Sequence, residues 1–383
     1  MGAEQLIIGL PPNTFTILML MAGIIIVLVV IIYLIKYIID NAPFAYVNAR
    51  VRSMESRLLN EHKYGELIES GSLVELIGFL EDTEYGKYLS DSENIEGVEK
   101  ALYSHLASVY TSLANMAPEK GRKILKLFEK KFDIYNIKSI LRAKYFGLSY
   151  EETYKLIVPL GTIPENKLRD LCECKTVEEV VNSLEGTEYH KILSSAMSEY
   201  EQTGKLTELE LSLDKYILEN LWKAVSIEGV AEDIFKEYIG AMVDIENLKI
   251  ILRCKADGVP SEEISKYLLN DGYELASWKL KELSESDSIE SIVSALEGTK
   301  YSQIISENLE EYEKTKSVYV FERALDRYIL NIGKKLSLRQ PFGVGPIIGL
   351  ITAKEQEIQN LKIIIKCKIE NIPSNQIREL LKY

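Results

Sequence analysis

Six basic residues recur at matching positions in three closely similar phrases of the sequence. The phrases are IYNIKSILRAKYFGLSYEET from Ile134, IENLKIILRCKADGVPSEEI from Ile245 and IQNLKIIIKCKIENIPSNQI from Ile358. Each phrase carries two cations four residues apart, so both side chains lie on one face of a helix. The pairs are Lys138 with Arg142, Lys249 with Arg253, and Lys362 with Lys366. Such a stripe is typical of a solvated helix face or of an interface with an acidic or symmetric partner, and these six residues are our candidate partner interface.

Other recurring residues in these phrases indicate packing. Asn136, Asn247 and Asn360 lie on the apolar side, where an amide most often closes a buried backbone hydrogen bond. Cys254 and Cys367 stand where the first phrase has Ala143, which indicates small packing residues. The four cysteines form no Cys-x-x-Cys pair, so we predict no metal site and no disulfide framework.

Groups that could do catalysis are scattered. His62, His105 and His190 have no counterparts in the other copies, and no nucleophile pattern accompanies them. The segment PFGVGPII from Pro341 contains Gly-x-Gly but lacks the Lys-Ser/Thr of a phosphate loop, so we interpret it as a turn before the last helix. We therefore predict no catalytic residue, no cofactor and no small-molecule substrate. The formal net charge of −13 disfavours a nucleic-acid partner.

The N-terminal segment differs from the rest in composition. FTILMLMAGIIIVLVVIIYLI, from Phe15 to Ile35, has no charged residue over 21 positions, enough for a helix of about 31 Å that spans a bilayer. The alternative is a buried core helix. Four cations that follow the span predict a single-pass protein of the cell membrane with its C-terminal body in the cytoplasm. They are Lys36, Arg50, Arg52 and Arg57.

A second phrase also occurs three times, which predicts a triplicated unit. It reads LVELIGFLEDTEYGKYL from Leu73, VEEVVNSLEGTEYHKIL from Val177 and IESIVSALEGTKYSQII from Ile289. A weaker third phrase starts at Val98, Leu209 and Val320. Units of this length are domain-sized rather than solenoid repeats. We expect a segment 1–41 with the transmembrane helix (about 15–35), followed by helical repeats over 42–147, 148–258 and 259–383.

The local pattern of each unit is helical. Val177, Val180, Val181 and Leu184 follow the spacing of one helix face. Gly186 and Gly298 predict helix stops, and Ser72 with Glu75 predicts an N-cap and capping box. We predict an all-α fold of three homologous helical domains, preceded by one transmembrane helix.

Three blocks carry a family resemblance. YVNARVRSMESRLL from Tyr46, the LEGTEY-like phrases and GPIIGLITAKEQEIQNLKIIIKCK from Gly345 resemble the C subunit of A-type ATP synthases, a relative of the d subunit of vacuolar ATPases. The resemblance covers Ala42 to the C-terminus. It implies a pseudo-threefold, funnel-like arrangement in a non-catalytic central-stalk (rotor) component. Such a component is a socket that couples the membrane rotor ring to the shaft subunits, so that ion-driven rotation drives ATP synthesis.

The apolar N-terminal helix departs from the mostly soluble members of that family. A helix outside the rotor ring would sweep through lipid until the stator blocked it, whereas one in the ring lumen could turn freely. We hypothesise that Phe15 to Ile35 threads the lumen. The alternative functions are a membrane-anchored helical adaptor or docking protein and, third, an enzyme with a site at a domain junction. The basic stretch from Glu119 to Lys144 fits a solvated helix, an acidic protein or lipid headgroups.

Overall fold

The chain folds into helices throughout the part that the structure describes. This structure, a computed structural model, describes residues 12–89, 95–158, 160–226, 233–269 and 271–381. Within those residues it has 21 α-helices, one 3-10 turn and no β-strand. The predicted all-α class is confirmed.

The first helix, α1 (Pro12–Asn41), stands apart from the body. Its side chains from Thr16 to Asp40 are exposed, and it is the one helix of the described residues that is long and apolar enough to cross a membrane. Its 30 residues give a length of about 45 Å, longer than the predicted span. A 3-10 turn (Ala42–Phe44) joins it to α2 (Ala45–Glu55), whose Val47 and Val51 are buried. The predicted core-helix alternative is therefore wrong for α1.

Three sets of helices follow, each ending in a long helical hairpin and a short helix. The first set is α3 (Glu61–Glu69), α4 (Leu73–Glu81), α5 (Gly86–Leu89), α6 (Ile95–Met116), α7 (Glu119–Tyr145) and α8 (Tyr150–Lys155). The second is α9 (Glu165–Glu173), α10 (Val177–Ser183), α11 (Glu188–Thr203), α12 (Thr207–Ser226), α13 (Asp233–Ala256) and α14 (Ser261–Tyr267). The third is α15 (Ser277–Glu285), α16 (Ile289–Ala295), α17 (Lys300–Ser306), α18 (Leu309–Thr315), α19 (Tyr319–Arg339), α20 (Gly345–Ile369) and α21 (Ser374–Leu380).

Helix ends follow the local sequence signals. Ser72 caps α4 by accepting the backbone N–H of Glu75, as predicted. The Glu75 carboxylate, however, accepts the N–H of Gly71 at 2.7 Å rather than that of Ser72, so the predicted capping box closes one residue earlier. Gly186 and Gly298, both with φ of 85°, lie just beyond the ends of α10 and α16, as their prediction as stops requires.

The six long helices form a closed circuit of contacts. Helix α6 packs on α7, α7 on α12, α12 on α13, α13 on α19, α19 on α20, and α20 back on α6. Helix α20 also contacts α3 and α4, so the N-terminal part of the body packs against the C-terminal hairpin. Contacts of α20 with α3, α4 and α6, which lie near opposite ends of the sequence, thereby close the circuit. Residues 341–344 of the PFGVGPII segment form the predicted turn, and the rest of the segment begins α20. The helix after this turn is not the last one, because the short α21 follows it.

One side-chain contact holds these parts together at three equivalent places. A buried carboxylate on α7, α13 or α20 accepts the hydroxyl of the tyrosine in a LEGTEY-like phrase. The pairs are Asp133 with Tyr189 (2.8 Å), Asp244 with Tyr301 (2.9 Å) and Glu357 with Tyr85 (2.6 Å). The same carboxylates accept backbone N–H groups of the loops before α9, α15 and α3. The third pair joins the two ends of the chain, because Tyr85 precedes and Glu357 follows most of the fold.

Candidate functional site

A central cavity lies inside the circuit of six long helices. Its volume is about 560 Å³. All six helices contribute side chains to its wall, namely Tyr103 of α6, Tyr135 of α7, Leu218 of α12, Glu246 of α13, Ile329 of α19 and Gln359 of α20. Because its wall needs all six long helices of the body, this cavity can form only after the circuit closes.

Charged groups in the cavity wall are mostly matched to one another. Lys131 of α7 reaches Glu355 of α20 at 3.3 Å, and the buried Tyr110 donates to the same carboxylate at 2.7 Å. Burial raises the pKa of the Glu246 carboxyl group, and the nearby cations Lys249 and Arg253 partly oppose this shift. The wall thus combines apolar surface with a partly buried carboxylate that has two cations of the same chain nearby.

The first basic pair bridges two neighbouring helices of the circuit. Lys138 of α7 binds Asp214 of α12 at 2.6 Å. Arg142, one turn further on, holds Glu210 through two bonds of 2.6 and 2.7 Å. An Arg–carboxylate pair with two bonds fixes orientation as well as distance. The stripe therefore contacts an acidic pair of the same chain.

The second basic pair repeats this arrangement at the next helix junction. Lys249 of α13 binds Asp326 of α19, and Arg253 holds Glu322 through two hydrogen bonds. Lys249 and Asp326 also line the central cavity. Each of the two junctions thus uses one glutamate and one aspartate, four residues apart, as partners of the basic pair.

The third pair departs from this pattern. Lys362 of α20 lies 3.5 Å from Glu99 of α6 and 3.4 Å from the hydroxyl of Tyr103, which takes the place of the expected aspartate. Lys366 is exposed. The structure therefore does not gather the six cations into one patch, and their role in an external interface stays a prediction.

A sequence signal for these bridges exists. The weaker third phrase carries Glu-x-x-x-Asp at Glu210 and Asp214 and again at Glu322 and Asp326. Its spacing equals that of the basic pairs. Complementary pairs with one spacing in two recurring phrases predict helix packing of one copy against the next.

A buried ion pair marks the seam where the chain ends meet. Lys354 and Glu357 of α20 are 1% and 3% exposed, and their charged atoms are 2.7 Å apart. Lys354 also lies 3.6 Å from Glu84, and the aromatic ring of Tyr85 packs beside it. Burial beside Glu357 raises the pKa of the Tyr85 hydroxyl well above its usual range, which keeps it a donor. The sequence phrases did not single out these residues as a pair.

His105 of α6 packs against the same seam. Its ring meets that of Tyr85 edge to face, with 4.6 Å between the centroids. Neither ring nitrogen has a hydrogen-bond partner within the described residues. The carboxylate of Glu84 lies 3.7 Å from Nε2 of His105, but burial, with Lys354 and Lys87 nearby, outweighs it and lowers the pKa of His105 to about 3, so the ring is neutral and serves as packing.

Two of the three recurring amides, and both recurring cysteines, have the predicted structural roles; the side-chain oxygen of the third amide, Asn360, accepts the side-chain amide of Gln356. Asn136 exchanges two hydrogen bonds with the backbone of Val158, and Asn247 accepts the N–H of Leu269. Cys367 is buried in the main core, and Cys254 packs against the second core cluster. Among the side chains that the structure describes, no group of three or more His, Cys, Asp or Glu is placed to hold a metal ion.

The fold defines an all-helical protein whose body has a central cavity lined by its six long helices, with an apolar helix leading away from the body. Comparison with known proteins makes the identity specific. Residues 47–380 match the model of the ATP synthase (C/AC39) subunit family. The chain is 56% identical to the C subunit of the A-type ATP synthase of Methanocaldococcus jannaschii, over 96% of this chain and 94% of that relative. It is 43% identical to the protein of the same name from Methanothermobacter thermautotrophicus, over 98% of this chain and 97% of that relative. The Pyrococcus abyssi relative is 32% identical over 88% of this chain and 90% of its own.

The chain belongs to the ATP synthase (C/AC39) subunit family and is a component of an ATP synthase, with partners inside that complex. The predicted resemblance is confirmed. The alignment with the Methanocaldococcus relative covers 96% of the chain. The residues after Asn41 make up less of the chain than that, so the alignment includes some of the N-terminal helix. The N-terminal segment is therefore partly shared with that relative.

Proposed function

We propose that this protein is the non-catalytic central-stalk socket of a rotary ATP synthase. In this role it joins the membrane rotor ring to the shaft subunits, turns with them and passes torque from ion flow to ATP synthesis. The observation that carries the proposal is the central cavity enclosed by all six long helices. We infer that the tip of the shaft enters this cavity.

A torque-transmitting socket has to resist opening, and the contacts between helices favour that property. The two matched salt-bridge pairs connect α7 with α12 and α13 with α19. The carboxylate–tyrosine contacts join successive parts of the chain. We infer that three similar units sit around a pseudo-threefold axis through the cavity, with each long hairpin as one wall segment.

The apolar helix supports a location at the membrane. Its exposed side chains would be costly in water and are suited to acyl chains. We propose that α1 crosses the cell membrane once, with the body on the cytoplasmic side, and lies in the lumen of the rotor ring. Cysteine cross-links from Ala22 or Gly23 to ring subunits are expected; cross-links to the stator membrane subunit would contradict the lumen position.

The cavity is tested by filling it. Met242 lines the cavity, so Met242→Trp should lower the affinity for the purified shaft subunits about tenfold or more by occupying their space. Val74→Trp is the matched control, because Val74 is 78% exposed on α4, outside the cavity lining. Isothermal titration with each full-length variant in detergent measures both. Equal shaft affinity for the two variants would refute the cavity as the shaft site.

Binding to the ring is a separate measurement. The full chain and the chain starting at Ala42 are each titrated against the isolated rotor ring in detergent. One-to-one binding by both identifies the body as the socket, whereas binding by the full chain alone makes α1 the principal attachment. A failure of both to bind would favour a membrane-anchored adaptor.

A further inference from the structure

We propose that the face of the body around the exit of α1 is a binding surface for anionic phospholipid, with headgroup phosphates on its cations and acyl chain in an apolar groove. This inference rests on the proposed membrane insertion of α1. It assigns a ligand that is neither the shaft nor the ring, namely phospholipid in the ring lumen where α1 is proposed to lie.

The groove lies at the junction of α1, α2 and the turn before α20. Its volume is about 610 Å³, and we name it the elbow groove. Its wall includes Tyr37 and Ile38 of α1, Ala45 of α2, and Phe342. Because Tyr37 and Ile38 also belong to the apolar surface of α1, the groove is continuous with the part of the molecule that would face acyl chains.

The groove is held in a fixed shape by the body. Asn48 of α2 donates to the carbonyl oxygens of Gly343 (3.0 Å) and Pro341 (3.4 Å). Phe342 lies between these two anchored residues, yet its side chain is 62% exposed. Two further residues close in sequence to the groove, Tyr46 of α2 and Leu338 of α19, are 65% and 75% exposed. Large apolar and aromatic side chains kept in water at this place are typical of a membrane-interface belt.

The distance from the membrane suits headgroup contact. Asn41 follows Ile35 by six helical residues, a rise of about 9 Å. The headgroup layer on each side of the hydrocarbon core is about 5 to 8 Å thick. Gly343 lies against the side chain of Asn41, so the turn that carries Phe342 is at the outer edge of the headgroup layer.

The charge of this face is opposite to that of the whole chain. The chain carries −13, but the stretches 36–55, 119–123 and 334–339 present mainly cations. The exposed ones are Lys36, Arg50, Arg52, Arg122, Lys123, Lys334, Lys335 and Arg339. Gly121 packs on Phe44, which brings the start of α7 to the exit of α1. Three of these cations pair with acidic side chains: Arg52 with Glu55, Lys123 with Glu119 and Arg339 with Glu237. Arg122 donates to the backbone carbonyls of Ala114 and Ala117, and Asp40 at the end of α1 is an exposed acidic residue of the same face. The excess of positive charge fits phosphate and an anionic leaflet.

The test uses tryptophan fluorescence in vesicles. The full chain, Phe342→Trp and the control Phe146→Trp are reconstituted into phosphatidylglycerol/phosphatidylcholine vesicles with acyl-chain-brominated lipid. Phe146 is also an exposed phenylalanine, but it follows the far end of α7, about 39 Å from the start of that helix. We expect bromolipid to remove most of the emission that Phe342→Trp adds to the parent signal and none of that added by Phe146→Trp. Equal quenching of the two variants would overturn the proposal.

The charge component has its own pair of variants. Lys334→Glu combined with Lys335→Glu should reduce the preference for brominated phosphatidylglycerol over brominated phosphatidylcholine about tenfold. Lys281→Glu combined with Lys314→Glu is the control, since both lysines are exposed on α15 and α18. An unchanged preference in the first variant would overturn the headgroup assignment.

Two further outcomes separate this inference from the proposed function. If the full chain does not float with vesicles, the membrane-spanning proposal fails and this inference with it. If it floats but Phe342→Trp is not quenched, only the lipid surface is refuted. Loss of quenching after assembly with the rotor ring would show that ring protein covers this face, which also overturns the lipid assignment.

Discussion

At the scale of single residues, the pair of Lys354 and Glu357 buries two full charges inside the body. Each charge loses hydration on burial and is compensated by its partner, by Tyr85 and by the N–H of Leu59. Removing Glu357 leaves the buried Lys354 with only the more distant carboxylate of Glu84, 3.6 Å away. Asp133 and Asp244, in the equivalent positions, are matched by backbone N–H and tyrosine O–H groups.

Glu357→Gln should therefore lower the free energy of unfolding by about 3 kcal/mol, because Lys354 stays charged without its nearest carboxylate. Asp133→Asn is the matched control, and we expect a smaller loss of about 1 to 2 kcal/mol. Denaturant titration of the full chain in detergent measures both. A loss for Glu357→Gln no larger than that of the control would show that the ion pair adds nothing to the shared hydrogen bonds.

His105 predicts how stability changes with pH. Its pKa is lowered from 6.5 to about 3 in the folded chain. Between these values the unfolded chain binds a proton that the folded chain does not, so stability falls as the pH is lowered from about 6.5 towards 3. The loss is about 2 kcal/mol at pH 5.

The variant His105→Gln should lack this part of the pH dependence, so the difference in unfolding free energy between parent and variant shifts in favour of the variant as the pH falls from 7 to 5. His62→Gln, at a histidine whose side chain is 80% exposed, should behave like the parent. Parallel pH profiles for His105→Gln and the parent would contradict the assignment.

At the scale of elements, each long hairpin is tied to the next loop by a carboxylate that approaches backbone closely. A Cβ atom on Gly161 or Gly272 would collide with the carboxylate of Asp133 or Asp244. Glycine at these positions lets the loop approach α7 or α13 closely enough for its N–H groups to reach the oxygen atoms. The loops before α9 and α15 are positioned in this way.

Gly272→Ala should lower the free energy of unfolding by about 2 kcal/mol, because the added methyl group displaces the loop from Asp244. Gly78→Ala is the control: Gly78 lies inside α4, where a Cβ would meet no atom within 4 Å, and the variant should gain about 0.5 to 1 kcal/mol from helix propensity. Thermal unfolding in detergent compares the two. Stabilisation by Gly272→Ala would show that the loop can move without cost.

At the scale of the whole molecule, the anchor and the body are distinct parts. Helix α1 has exposed side chains and packs chiefly on the 3-10 turn that follows it, whereas the circuit of helices closes through contacts of α20 with α3, α4 and α6. The core of the body is therefore built without α1, and its circuit of helices is closed by the seam between the chain ends.

Deletion of residues 1–41 should leave the thermal unfolding midpoint of the body within a few degrees of that of the full chain. The truncated chain should also be monodisperse without detergent, because the exposed apolar surface of α1 has been removed. Calorimetry and light scattering check the two expectations. A large drop in the midpoint would show that α1 contributes to the body fold.

The sequence by itself determined the helical class, the apolar helix, the triplicated phrases and the family, because helix periodicity, charge-free length and repetition are local properties of the chain. It also placed the caps, the turn at Pro341 and the packing role of Asn136 and Asn247. Only the tertiary structure decided the partners of the basic pairs, since the carboxylates of Glu210, Asp214, Glu322 and Asp326 lie about 70 residues away along the chain. It likewise decided the seam, because Tyr85 and Glu357 are 272 residues apart and meet only when the circuit closes. The central cavity belongs to no single phrase, since its wall exists only once six helices have packed around it.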